Sequence, residues 1–230
     1  FSYVAKGYDC FVQAEAVFQQ MLDLESGEIR IGASDMTLQF YLLPYLEEFH
    51  RRYPKIKIKV SNAPTPETIG LLKEGGIDFG VVTAPLDPDP DFTVREVAQI
   101  QDCFVAGEEF SQLRGRDVSL KELSSYPVVM LEKRTSTRRF VDSCMEKAGI
   151  SLDPEFELAT SELIVQFALR CMGIGCVVRN FAQGQLEENT LFELSIQPPF
   201  PPRKMCLITP AKAPISPAGK RLLQFLEIPL

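Results

Sequence analysis

Two polar turns hold the side chains best suited to chemistry. The first is Ser34-Asp35-Met36-Thr37, which follows the run Ile29-Arg30-Ile31-Gly32-Ala33. The second is Lys133-Arg134-Thr135-Ser136-Thr137-Arg138, which follows Val128-Val129-Met130-Leu131. In each, hydroxyls stand where a strand ends and a helix begins. A helix start offers unpaired backbone N–H groups and a partial positive charge, and open α/β sheets bind ligands beyond the carboxyl ends of their strands. The chemistry on offer is hydrogen bonding to a small molecule, an anion among the candidates, rather than bond breaking. Thr83 closes the apolar run Phe79-Gly80-Val81-Val82, so its hydroxyl is expected near the same end of a sheet. Thr160-Ser161-Glu162 opens a third helix. Each of these residues also serves as an ordinary helix cap. Two such turns at equivalent ends of two lobes would face each other across a cleft, and that favours binding.

Other chemistries find little support. The single histidine, His50, falls on the charged face of a helix and reads as a solvated residue. There is no Ser/His/Asp arrangement and no P-loop. Gly173-Ile174-Gly175 lacks the dinucleotide spacing and follows a helix, so it reads as a helix stop and a tight turn. Six cysteines occur without a CxxC pair, mostly in apolar contexts. Reduced, partly buried thiols are expected, with Cys171, Cys176 and Cys103 as candidates for a redox sensor if there is one. A metal site is not expected because His50 is far in sequence from the cysteines. No cofactor is expected, and an enzyme is disfavoured.

The 230 residues suffice for one large or two small domains. Hydrophobic residues make up 45% and charged residues 24%, an ordinary soluble balance. The net charge of −7 comes without a dense basic cluster, so these residues are not expected to bind nucleic acid alone. No apolar run is long enough to span a bilayer, so no membrane is expected, and the reduced thiols point to the cytoplasm. A chain opening Phe1-Ser2 reads as a fragment or a processed product.

The elements that must position the turns follow from periodicity. Residues 10–25 have helical spacing and are expected to form a linker or dimer helix. Then come a strand at 29–33, a helix with Leu38, Tyr41, Leu42, Tyr45, Leu46 and Phe49 on one face, and a strand at 56–61. Glu47 and Glu48 stand four residues before Arg51 and Arg52 on the opposite face of that helix. Pro44 must begin its main part or kink it. A helix opened by Pro64-Thr65-Pro66 leads to a buried parallel strand at 79–82. After the proline-rich break at 86–91 an extended segment spans 93–106. The second half repeats the α/β alternation, with strands at 128–131, 156–159 and 174–178 and helices at 138–148 and 161–171. A strand near 190–196, a linker at 198–202, a strand at 205–208 and a helix at 216–225 complete the chain. The last strand and helix are expected to return to the first lobe.

The run Gly27-Glu28-Ile29-Arg30-Ile31-Gly32-Ala33-Ser34, then Leu42-Leu43-Pro44, Phe49 and Tyr53-Pro54, resembles the effector-binding domain of LysR-type transcriptional regulators. Gly76-Ile77-Asp78-Phe79-Gly80-Val81 and Cys171-Met172-Gly173-Ile174-Gly175-Cys176 resemble two later motifs of that family. The resemblance implies an α/β, two-lobed fold like type 2 periplasmic binding proteins, with two crossover strands. It assigns 1–26 to a linker helix remnant, 27–101 plus 205–230 to lobe I, and 102–204 to lobe II. It places ligand-binding residues at Ser34, Asp35, Met36, Thr37, Thr83, Thr135, Ser136 and Thr137. Lys6-Gly7-Tyr8 would be the trace of a wing. The implied role is an effector sensor binding a small metabolite in the interlobe cleft. DNA contact would come only through an N-terminal winged helix-turn-helix outside this sequence, and a homodimer or homotetramer is expected. Asp35 departs from the hydroxyl common at that turn and would repel an acidic effector unless paired. The alternatives are a solute-binding protein of a transporter or, on the same architecture, a dehydratase-like enzyme using Asp35.

Overall fold

The computed structural model describes Phe11 and residues 26–226. Apart from Phe11, the helix expected at 10–25 and the wing trace at 6–8 lie outside the described residues. In chain order the elements begin with β1 (Gly27–Ala33), a helical turn at Asp35–Thr37, a π-helical stretch at Leu38–Leu42, α1 (Leu43–Arg52), β2 (Ile56–Asn62) and α2 (Thr65–Lys73). They continue through β3 (Phe79–Thr83), β4 (Phe92–Ile100), β5 (Asp102–Ala106), β6 (Asp117–Ser119), α3 (Leu120–Leu123), β7 (Val128–Leu131) and α4 (Ser136–Lys147). The remainder are β8 (Phe156–Leu158), α5 (Ser161–Leu169), β9 (Ile174–Val178), α6 (Gln183–Glu187), β10 (Phe192–Glu193), β11 (Ser195–Gln197), β12 (Arg203–Pro210) and α7 (Pro217–Phe225).

These elements form two units. Unit 1 comprises Phe1–Val81, Asp89–Val94 and Leu207–Leu230, and unit 2 comprises Val82–Pro88 and Arg95–Cys206. Strands β4 and β12 each run on from one unit into the other, so the chain has two long crossover strands. Residues 82–88 and 95–101 belong to unit 2.

Unit 1 is built on a sheet of order β2-β1-β3-β12-β4. β1 runs parallel to β2, from Gly27 opposite Ile56 to Ala33 opposite Asn62, and parallel to β3. Asp78 fastens β3 to β1: its carboxylate accepts from the Arg30 N–H at 2.7 Å, and its own N–H donates to the Arg30 carbonyl at 2.7 Å. That exchange gives the Gly-Ile-Asp motif a physical purpose. α2 lies so close to the sheet that a Cβ on Gly32 or Gly80 would come within 2.6 or 2.7 Å of Thr68 Cγ2. Leu42 and Phe49 are buried, and Phe49 meets the Phe225 ring edge-on at 5.4 Å.

The expected irregularity at Pro44 takes a specific form. Proline has no N–H to bond one turn back. The helix widens ahead of it, and the Leu43 N–H reaches the Leu38 carbonyl five residues earlier. α1 then starts afresh with Pro44 in its first turn. On its charged face Arg51 pairs with Glu48 one turn back, while the Arg52 guanidinium lies 5.7 Å from the centre of the Phe225 ring. The expected pairs four residues apart yield to these contacts.

Unit 2 is built on a sheet of order β10-β5-β9-β7-β8 and a ribbon of β11 with β6. β7 is parallel to β8 and β9, while β5 is antiparallel to β9 and β10. The extended segment expected at 93–106 is two strands, broken at Gln101. There the side-chain amide donates to the Asp102 and Phe200 carbonyls, each at 3.0 Å. Side chains alternate across the sheet: Phe104 and Cys176 join one apolar core with Met130, Val141 and Met145. Cys103 and Val177 join the other with Ile164 and Val165.

Candidate functional site

In unit 1 the first polar turn closes on itself. Ser34 caps the helix, its Oγ accepting from the Thr37 N–H at 3.4 Å, and Thr37 Oγ1 accepts from the Ser34 N–H at 2.9 Å. The Thr37 hydroxyl donates back to the Ser34 carbonyl at 3.1 Å. This is a capping box in which threonine takes the place of the usual acid or amide. Met36 and Thr37 are buried, while Ser34 and Asp35 are half-buried. The Asp35 carboxylate accepts from the Asn62 side-chain amide at the end of β2. That contact pairs Asp35 with a neutral amide donor on the neighbouring strand.

In unit 2 the second polar turn divides the labour. Thr135 alone caps α4: it accepts from the Arg138 N–H at 3.2 Å and donates to the Glu132 carbonyl at 3.0 Å. The next two hydroxyls are released for distant partners. Ser136 is hydrogen-bonded to Thr83, the last residue of β3. Thr137 Oγ1 accepts from Arg203 Nη2 at 2.9 Å. All three of Thr83, Ser136 and Thr137 are buried. The structure thus gathers four of the expected residues, Thr83, Thr135, Ser136 and Thr137, at one end of unit 2. Ser34 to Thr37 form a separate group in unit 1.

Arg203 and Asp102 are the functional candidates that sequence reasoning missed. The Arg203 guanidinium grips Asp102 with two prongs, Nε and Nη2, at 2.5 and 2.6 Å, and both side chains are almost fully buried. Its Nη1 donates to the Ala84 carbonyl at 3.2 Å, and its face lies 5.0 Å from the centre of the Phe140 ring. Burial pushes the Asp102 carboxyl pKa up, and the guanidinium pulls against that rise. The two-pronged grip needs both oxygens as acceptors, which the ionised form supplies. The signal in the sequence was charge at the head of each of two apolar strands, Asp102 before Cys103-Phe104-Val105 and Arg203-Lys204 before Met205-Cys206-Leu207.

Arg138, also buried, is balanced by Asp142 at 2.9 Å and Glu157 at 3.1 Å, and it donates to the Leu131 carbonyl at 3.0 Å. Burial raises the Cys103 and Cys176 thiols well above their ordinary pKa. They also point to opposite faces of the sheet, so neither fits a thiolate sensor. Cavities of about 250 and 270 Å³ flank Phe200, and none of the eight expected residues lines either. Among the described residues, no three His, Cys, Asp or Glu side chains cluster for a metal, and no helix is long and apolar enough to cross a membrane.

Residues 22–228 match the family model described as the LysR substrate binding domain. The chain belongs to that family. An HTH-type transcriptional regulator of Escherichia coli K12, YeiE, is 25% identical over 224 residues, spanning 94% of this chain and 75% of its own length. Among solved structures, the regulatory domain of CcmR from Synechocystis PCC6803, in complex with 2-PG, superposes with a TM-score of 0.78 at 18% identity. That match covers 87% of this chain and 96% of CcmR's. The effector binding domain of QuiR, in complex with shikimate, gives 0.74 at 19% identity, covering 87% and 95%. These likenesses establish the fold of this LysR domain as the two-lobed, periplasmic-binding-protein-like α/β architecture.

Proposed function

We propose that this LysR domain senses a small-molecule effector in the cytoplasm and does no chemistry on it. The effector-binding residues of this reading are Ser34, Asp35, Met36 and Thr37 of unit 1 and Thr83, Thr135, Ser136 and Thr137 of unit 2. The observation that carries the reading is the division of labour at α4. One hydroxyl suffices to cap that helix, yet three stand in line and two of them are held by distant side chains. An arrangement so costly in ordered polar groups suits a binding site better than a cap. Binding changes how the domain is held with its copies in a dimer or tetramer. That change reaches DNA through a helix-turn-helix outside these residues, of the kind the name of YeiE implies.

A thermal-shift screen tests this. Carboxylates, amino acids and inorganic anions are added singly to the purified chain. A ligand that binds only the folded state raises its melting temperature in proportion to the logarithm of its concentration. A stabilising compound whose effect is weakened by both Ser34→Ala and Ser136→Ala supports the reading. A stabiliser indifferent to both substitutions overturns it.

A further inference from the structure

The hydrogen bond between Arg203 and Thr137 fixes more than a position. A guanidinium has five donors and no acceptor. The Thr137 oxygen therefore accepts from Nη2 at 2.9 Å, and its own proton must go elsewhere. Among the described residues that hydroxyl makes no other hydrogen bond, although it is nine-tenths buried. Arg203 cannot swing away to release it, because Asp102, the Ala84 carbonyl and the Phe140 ring hold the guanidinium on three sides. A buried ion pair is a poor investment for stability alone, since apolar residues of the same volume often do as well. Here the pair presents one donor to one hydroxyl.

We propose that Arg203, locked by Asp102, is a positioning residue for effector binding. It occupies one of the two lone pairs of Thr137 and leaves the O–H proton, which has no acceptor among the described residues, for an effector oxygen. This rests on the reading that Thr137 contacts the effector, and it names the effector's class: an anion, a carboxylate or an inorganic oxyanion, presented to the first turn of α4. The surroundings agree with that class. α4 is a helix of 12 residues, and the N–H groups of Ser136 and Thr137 precede its first intrahelical bond. Each buried guanidinium beside it already has an acidic partner, Arg203 in Asp102 and Arg138 in the partly exposed Asp142 and Glu157. The one carboxylate in excess of the cations belongs to the Asp142 and Glu157 pair on Arg138, whose side chains are 33% and 38% exposed and so screened by solvent.

The test measures affinity by calorimetric titration with sulfate, phosphate, succinate and benzoate, and with the neutral succinamide and benzamide. The proteins are the wild-type chain, Thr137→Val, Thr137→Ser, Arg203→Lys and the double variant Thr137→Val/Arg203→Lys, each checked for native circular dichroism. At least one anion is expected to bind the wild type and to weaken roughly 10- to 100-fold in Thr137→Val, the range for a lost hydrogen bond to a charged group. Thr137→Ser should restore binding. Arg203→Lys should weaken it, and the double variant should bind no worse than Thr137→Val, because both act through one hydroxyl. Losses that add in the double variant, or equal binding of the anion by Thr137→Val, would overturn the proposal while leaving the sensor reading intact. So would binding of the amides but not the anions. Binding of none of the six compounds by the wild type would overturn the anion class itself, whereas the sensor reading falls only if the wider screen also finds no ligand dependent on Ser34 and Ser136.

Discussion

The two hydroxyl-rich helix starts look alike in sequence and are built differently. At Ser34–Thr37 every hydroxyl bond is local: Ser34 and Thr37 serve each other, three residues apart. At Thr135–Thr137 only the first hydroxyl is local, and the next two reach Thr83 and Arg203, 53 and 66 residues away in the chain. The first turn is a cap with a charged residue, Asp35, at its edge. The second is the meeting point of β3, α4, β5 and β12. Local polar turns hold a helix end, whereas a turn wired to distant strands can feel whether those strands move. Under the proposed function, the second is the turn where binding would reach those strands.

Among substitutions in the two turns and their partners, the largest effect should come from the buried pair. Asp102→Ala leaves the Arg203 charge buried without its carboxylate and should cost about 3–5 kcal/mol in urea unfolding. The double replacement Asp102→Leu/Arg203→Met should recover most of that loss. If Asp102→Ala costs no more than a cap, the network in unit 2 is no different in kind from the turn in unit 1. Next comes Thr137→Val, which keeps the shape but strips the acceptor from Arg203 Nη2. About 1–3 kcal/mol is expected for that unsatisfied buried donor. Thr37→Val, by contrast, removes only a cap partner, and a loss as large as that of Thr137→Val would erase the distinction.

Smaller and equal effects are expected where the two turns do the same work. Ser34→Ala and Thr135→Ala each remove an N-cap, and each should cost ~1 kcal/mol. Unequal losses would show which helix depends more on its cap. The smallest effect should come from the surface ion pairs. Glu28 and Asp89 in unit 1 are held below the ordinary carboxylate range by Lys59 and Lys73. Glu96 and Glu122 in unit 2 are held there by Lys204 and Arg116. A lowered folded-state pKa stabilises above the unfolded value and is lost as pH falls through the folded one. Melting temperature measured between pH 6 and pH 3 should therefore begin to fall near the ordinary values of 4.5 and 3.8. The contribution of these exposed pairs to that fall should shrink in high salt.

Much of the fold was legible because its cues are local. The alternation of apolar runs with amphipathic segments placed β1, β2, β3, β7 and β9 and the helices between them. Pro44 announced an irregular helix, though its resolution as a π-helical stretch depends on which carbonyl the freed chain can reach. The hydroxyls at 34–37 and 135–137 could be read as helix starts from their own neighbourhoods. What Ser136 and Thr137 do could not, because their partners are brought in by tertiary folding. The same holds for Arg203 and Asp102, 101 residues apart. Each was visible as a charge beside an apolar run, and only the fold pairs them. Gln101 shows the point in miniature: its side chain divides 93–106 into two strands by bonding Phe200, 99 residues further on.

In the proposed function the effector is read at the helix starts Thr135–Arg138 and Asp35–Leu38. The most direct test is an amide NMR titration of the isotope-labelled chain with the anion that stabilises it most in the thermal screen. Saturable shifts are expected in the amides of Ser136, Thr137 and Arg138, with shifts at Asp35 to Leu38 on the same binding curve. Shifts confined to residues around Phe200 and the cavities beside it, with the two helix starts unmoved, would contradict it.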